Sequence, residues 1–213
     1  MFSSWGNIQP RMVDPRLALA GREQPVLPQG ATHDIYGTNV VDTPEGSEVV
    51  HLALGCFWGA EKLYWNTPGV TNTAVGYMGG FTPNPTYEEA CSGRTGHTET
   101  VRVAYDPAVV TFDELLRIFF ENHDPTQGMR QGNDIGTQYR SAIFTTTPEQ
   151  ADAAAAALQR YGQAFAEAGF GEGTTDVVTE PTPFYFAEAH HQQYLDKNPN
   201  GYCPIHATGV SCT

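Results

Sequence analysis

Positive charge is scarce in this chain. Lys and Arg number 11 against 24 Asp and Glu, a formal net charge of −13, and repulsion between like charges excludes binding nucleic acid through its phosphates. Long apolar runs are missing too: nothing approaches the roughly 18 residues of a membrane-spanning helix. The opening stretch MFSSWGNIQPRMVDPRLALAG has no apolar core of the length a secretory signal needs, and Asp14 and Pro15 interrupt it. A cytoplasmic protein is therefore expected. Internal repeats and the glycine patterns of dinucleotide or phosphate loops are absent. Cysteine is sparse, at Cys56, Cys91, Cys203 and Cys212. In a reducing compartment such thiols are catalytic, metal-binding or spare rather than structural cross-links, and a chain of 213 residues buries a core without staples.

What is present centres on Gly55-Cys56-Phe57-Trp58-Gly59. Val49–Leu54 reads as a buried strand and Ala60–Trp65 as a short helix, so Cys56 falls at a strand-to-helix turn. Unpaired N–H groups and the helix dipole favour negative charge there, which predicts a thiol that ionises readily. Two aromatics directly after the sulfur suit an apolar slot above it. A buried cysteine among core aromatics fits the same five residues.

The second informative stretch is Thr98–Tyr105. Alternation along a strand puts Glu99 on one face with Val101, Val103 and Tyr105. Burial there raises a carboxyl's pKa, so Glu99 is a candidate general acid; a solvent-facing carboxylate near the strand's start is the alternative. Thr111 with Glu114, and Thr147 followed by Pro148, mark the starts of two helices. Between them, His123–Thr137 is polar, rich in glycine and without period, a length of loop that usually carries function. It contains Asp134 and leads to Tyr139, which opens a strand to Phe144. Thr175–Glu180 reads as a last strand, and Ala187–Leu195 as helix-like. About five strands and four helices are expected, an α+β sandwich with helices packed on a mixed sheet.

The remaining residues with chemistry leave several readings. A zinc site built from Cys203, His206, His190 and His191 lacks a second paired-ligand run. A Cys-His hydrolase would pair Cys56 with His97 or His123. A redox relay accounts best for one strand-end thiol and two thiols in the tail, because a sulfenic acid on the first is resolved by a second as a disulfide. A thiol peroxidase would share that relay, and a non-enzymatic domain with structural disulfides stands outside it. Cys91 is left as a spare.

The chain resembles the A-type peptide methionine sulfoxide reductases. Gly55-Cys56-Phe57-Trp58-Gly59 is similar to the family signature, and GYMGG at 76–80, PTYEEACSGRTGHTE at 85–99, FFENHDPTQGMRQGNDIGTQYRSAI at 119–143 and HHQQYLDKNPNGYC at 190–203 resemble family segments in order. The resemblance covers roughly residues 47–205. It implies a ferredoxin-like core with a long irregular C-terminal tail, divided into an arm at 1–46, a catalytic domain at 47–196 and a mobile tail at 197–213. It further implies that Cys56 attacks the sulfur of the S epimer of methionine sulfoxide. Glu99 protonates the departing oxygen, the hydroxyls of Tyr87 and Tyr139 hold that oxygen, Phe57 and Trp58 enclose the methyl group, and Asp134 orients substrate or water. Cys203 then resolves the sulfenic acid, Cys212 carries the disulfide outward, and thioredoxin is the external reductant. By the same resemblance the substrates are free and protein-bound methionine sulfoxide. No bound metal, flavin or nicotinamide is expected, no nucleic-acid or membrane partner, and a monomer.

Overall fold

The computed structural model describes residues 10–202 and 206–212. In chain order its elements are β1 Glu48–Ala53, α1 Phe57–Trp65, β2 Val70–Met78, α2 Tyr87–Cys91, β3 Thr98–Tyr105, α3 Phe112–Glu121, β4 Arg130–Gln131, β5 Asp134–Ile135, β6 Ala142–Phe144, α4 Pro148–Glu167, β7 Asp176–Val178, β8 Phe184–Phe186 and α5 Tyr194–Lys197. Six strands form one mixed sheet in the order β7-β6-β1-β3-β2-β8, and β4 and β5 pair as a separate hairpin. Among the described residues, β6 and β7 pair parallel and the sheet's other neighbours pair antiparallel. The inner four strands, β6-β1-β3-β2, come from a β-α-β-β-α-β succession with antiparallel neighbours, into which the short α2 and the β4–β5 hairpin are inserted. That is the ferredoxin-like arrangement, and the α+β expectation holds.

β3 lies between β1 and β2 and all eight of its residues are buried. Alternation sorts the strands' side chains between two faces. Val50, Leu52, Val75, Tyr77, Val101, Val103, Tyr105 and Ile143 face the helices, where they join Phe57, Tyr64, Leu115, Phe119, Tyr161 and Phe165 in one core. On the other face Ala53, Met78, Ala142 and Phe144 form a second cluster, and the arm brings Leu27 and Val40 against Ala74. Among the described residues no helix is long and apolar enough to cross a membrane.

The two long helices start at the threonines read from the sequence. Thr111 accepts from the Glu114 N–H at 3.2 Å and Thr147 from the Gln150 N–H at 3.2 Å, with Pro148 at the first helical position of α4. Several expectations fail. The stretch 123–137 is not structureless, since it folds the β4–β5 hairpin. Tyr139 closes a 3-10 turn, Thr137–Tyr139, rather than opening a strand. Residues 184–186 form β8, and of the expected helix Ala187–Leu195 only Tyr194 and Leu195 are helical, at the start of α5. The Gln192 side-chain amide explains part of this. Its Oε1 accepts from the Val75 N–H at 2.9 Å and its Nε2 donates to the Val75 carbonyl at 2.9 Å, so a side chain continues the edge of β2 where a strand would pair.

Gly76 is where β8 closes on β2. It pairs with Phe186, and a Cβ there would overlap the Tyr185 carbonyl oxygen and come 2.6 Å from the Phe184 ring. Gly76→Ala is therefore expected to cost about 1–3 kcal/mol of stability through overpacking, read as a lower urea midpoint. An unchanged midpoint would mean that β8 is not held this closely.

Candidate active site

Gly55 leaves β1 at φ +98°, a backbone region that suits glycine, and a Cβ there would lie 2.7 Å from the Gln131 side chain. The turn places Cys56 as the N-cap of α1, 9% exposed. The local expectation of an easily ionised thiol is overturned. Burial, first, and the neighbouring Glu99 carboxylate, second, push the Cys56 thiol well above its usual value. The N–H groups of Trp58 and Gly59 at the start of α1 act the other way and do not win.

Glu99 stands opposite Tyr77 across the β3–β2 ladder and is 1% exposed. Its Oε2 accepts from the Phe57 N–H at 2.9 Å, one of the orphan donors of a helix's first turn. Burial pushes the carboxyl up to about 8; the Phe57 N–H opposes this and the Asp134 charge adds to it. A carboxyl poised near neutrality beside a thiol is suited to giving up a proton.

Two phenols complete the wall. Tyr87 begins α2, whose start is fixed by a capping box: Thr86 Oγ1 accepts from the Glu89 N–H and Glu89 Oε2 accepts from the Thr86 N–H at 2.9 Å. Tyr139 ends the 3-10 turn, its N–H donating to the Gly136 carbonyl at 3.1 Å. Burial and then the Glu99 carboxylate push both hydroxyls above the ordinary tyrosine range, so both are neutral donors at working pH. Cys56, Asp134 and Cys91 also bear on Tyr139. Cys56, Glu99, Tyr87, Tyr139 and Asp134 thus converge on one place.

Asp134, on β5, accepts from the Tyr202 hydroxyl at 3.1 Å through Oδ1, while Oδ2 is buried without a hydrogen-bond partner among the described residues. Phe57 is buried and Trp58 partly so, and Tyr87 stacks near-parallel on Trp58 at 6.2 Å and on Phe57 at 6.4 Å. These rings form an apolar aromatic cluster that begins at the residue after Cys56.

Cys203 lies outside the described residues; Tyr202, which precedes it, is tied to Asp134. Cys212 is not brought to the centre. It is half-buried on α3 and α4, its Sγ 3.8 Å from the Arg160 carbonyl, next to Ser211, which donates to Glu121 Oε1 at 2.6 Å.

Four residues of the site were not found from sequence. Glu188 accepts from the Tyr87 N–H at 2.9 Å and the Tyr77 hydroxyl at 3.2 Å. His191, 3% exposed and pushed down to about 4 by burial, accepts from the Trp58 indole N–H at 3.1 Å through Nδ1. Tyr194 stacks on Trp58 at 4.0 Å. Cys91, set aside as a spare, borders the centre: its thiol neighbours Tyr87, and burial and the Glu99 charge push it up to about 11. The paired histidines at 190 and 191 were the one visible signal, and they suggested zinc; among the described residues no group of three or more His, Cys, Asp or Glu could hold a metal ion.

The sequence model of the family described as peptide methionine sulfoxide reductase matches residues 48–211. The protein named peptide methionine sulfoxide reductase MsrA from Corynebacterium kroppenstedtii is 57% identical over 201 residues, spanning 92% of this chain and 91% of its own. Its namesake from Streptomyces griseus is 56% identical over 205 residues, spanning 95% and 92%. The solved structure of methionine sulfoxide reductase A of Corynebacterium diphtheriae superposes with a TM-score of 0.86 at 53% identity, over 95% of this chain and 98% of that one.

Proposed function

The chain belongs to the peptide methionine sulfoxide reductase family, whose members are oxidoreductases, and from that premise we propose that it reduces the S epimer of methionine sulfoxide by thiol chemistry at Cys56. The Cys56 sulfur attacks the sulfoxide sulfur. Glu99 delivers its proton to the sulfoxide oxygen, the neutral hydroxyls of Tyr87 and Tyr139 donate to it, and the oxygen passes to Cys56. In sum, thiol and sulfoxide become sulfenic acid and methionine. The Phe57–Trp58 slot takes the methyl group, and the free oxygen of Asp134 accepts from the substrate amide or a water.

The observation that carries this reading is the buried Glu99 carboxyl, held against the N–H that follows Cys56 and poised at about 8. A sulfoxide oxygen leaves only when protonated, and this acid stands beside the nucleophile.

Recycling belongs to the same proposal. Cys203 condenses with the sulfenic acid, releasing water and forming a disulfide; Cys212 exchanges into it; a thioredoxin dithiol reduces the product. The Tyr202–Asp134 hydrogen bond supports the first step, since it holds the residue before Cys203 at the site's rim. Cys212, docked on α3 and α4, must leave that position to exchange. Free and protein-bound methionine sulfoxide are the proposed substrates, in the cytoplasm, with the chain acting as a monomer.

The test is single-turnover reduction of the two separated epimers by pre-reduced protein, with thiols counted before and after. Methionine from the S epimer alone, with two thiols lost per turnover, is expected. Cys203→Ser is expected to yield one methionine per chain and then stop as a sulfenic acid. No methionine from either epimer sinks the reading, and sustained thioredoxin-driven turnover by Cys203→Ser sinks the relay.

A further inference from the structure

One charged side chain of α1 points into the protein. Glu61 is fully buried, and acidic residues are almost never so without partners. Its partners here are all hydrogen-bond donors. Oε1 accepts from the Thr73 hydroxyl at 2.9 Å and from Gln193 Nε2 at 2.7 Å. Oε2 accepts from the Gln193 backbone N–H at 2.8 Å. The Thr73 hydroxyl has its direction fixed from behind. His33 Nδ1 accepts from the Ile35 and Tyr36 N–H groups, so the ring proton sits on Nε2 and donates to Thr73 Oγ1 at 2.9 Å, leaving the hydroxyl hydrogen for Glu61. Burial pushes the Glu61 carboxyl up to about 7, against the pull of Gln193 and Thr73. The geometry calls for an acceptor at both oxygens, which a carboxylate supplies and an amide does not.

What Glu61 holds matters for the slot. Gln193 has φ 46° and ψ 40°, a left-handed conformation in a residue that is not glycine, and such a backbone persists only where its surroundings enforce it. Glu61 grips this residue by both its N–H and its side-chain amide. On one side of Gln193 is His191, which accepts from the Trp58 indole N–H. On the other is Tyr194, stacked on Trp58 at 4.0 Å and 17°. Trp58 and Glu61 are three apart on α1 and so share a side of the helix. They meet the same four-residue stretch, one at its aromatic rings and the other at its strained centre.

We propose that Glu61 is a positioning residue for the reaction: by clamping the left-handed turn at Gln193 it fixes His191 and Tyr194, and through them the angle of the Trp58 indole over the substrate's methyl group. The proposal rests on the reading of the Cys56 centre as a sulfoxide reductase. Trp58 touches the methyl group and not the departing oxygen, so a loosened indole weakens binding of substrate and transition state alike. The signature is a raised half-saturating concentration with the saturated rate little changed.

The experiment uses pre-reduced full-length protein in which Trp5 and Trp65 are replaced by Phe, leaving Trp58 as the sole indole. Glu61→Gln leaves at least one buried Gln193 donor unpaired. It is expected to raise the half-saturating S-sulfoxide concentration by about tenfold, to leave the saturated single-turnover rate nearly unchanged, and to lower the emission anisotropy of Trp58. Gln193→Gly keeps the backbone N–H, removes the side-chain grip and relieves the left-handed strain. It is expected to move both readouts the same way by less, and it carries the test if Glu61→Gln does not fold. A variant with a lowered melting temperature but wild-type half-saturation and anisotropy would overturn the proposal, leaving Glu61 a purely structural residue. If the wild-type protein makes no methionine, the reading beneath the proposal falls, and the anisotropy comparison still decides the clamp.

Discussion

Replacing Cys56 with serine is expected to abolish methionine formation, lowering the single-turnover rate by roughly 10⁴-fold or more, the scale on which loss of a nucleophile is felt. A serine hydroxyl stays protonated at neutral pH. Its oxygen could accept the sulfoxide oxygen only by forming an oxygen–oxygen bond, a far weaker product than a sulfenic acid. The fold is not at risk. Cys56 is the N-cap of α1 and makes no side-chain cap hydrogen bond, and serine is among the best N-cap residues, adding about 0.5–2 kcal/mol where it bonds the first turn. The variant should therefore melt at or above the wild-type temperature while making no product, and mass spectrometry should show no sulfenic acid. Methionine formed at a wild-type rate would move the nucleophile elsewhere. Cys91, beside Tyr87 and Glu99, would be the next thiol to replace.

Much of this centre could be read from the sequence where the physics is local. The alternation in Thr98–Tyr105 is strict and the strand is central, so the face carrying Glu99 follows from its neighbours Val101 and Val103. Thr111 and Thr147 announce their helices because capping acts within one turn. The ordered segments resembling the reductase family found the family itself. What failed depends on contacts distant in sequence. The ease of ionising Cys56 was inferred from the helix start alone, and lost to burial and to a carboxylate 43 positions further on, 99 against 56. Ala187–Leu195 has helix-like composition, yet Gln192 is drawn to Val75, 117 positions away, and Gln193 to Glu61, 132 away. Those side-chain bonds hold the chain as turns. The places of His191 and Glu188 in the site were not legible for the same reason, since nothing near them in sequence shows that they face Trp58 and Tyr87.

Glu99→Gln carries the second large effect and reports how the proton is shared. Glutamine keeps the size and can still accept from the Phe57 N–H through its carbonyl, so the strand and the helix start should persist. It has no acidic proton, and the chemical step is expected to fall by about 10²-fold or more. The pH profile should change as well. In the wild type Cys56 and Glu99 each raise the cost of charging the other, so they titrate as a pair. In the proposed mechanism the working form holds one proton between them, on Glu99, with Cys56 as thiolate, which is the minority arrangement in equilibrium with thiol and carboxylate because burial raises Cys56 further than Glu99. As pH rises through about 8 the pair loses its first proton and this form gains population; at higher pH the last proton leaves and the rate declines. A bell is expected, centred above pH 8. In Glu99→Gln the repelling carboxylate is gone, so the thiol ionises at lower pH than in the wild type. With no acid to lose, the high-pH decline disappears and a single rising limb remains, lower in height and at higher pH than the wild type's rising limb, because burial still holds the Cys56 thiol up. An iodoacetamide titration measures the ionisation of the thiol in both proteins apart from catalysis. If Glu99→Gln reacted at the wild-type rate with an unaltered bell, the proton would have to come from a phenol. Tyr139, which faces Glu99, Asp134 and Cys56 together, would be the donor to test.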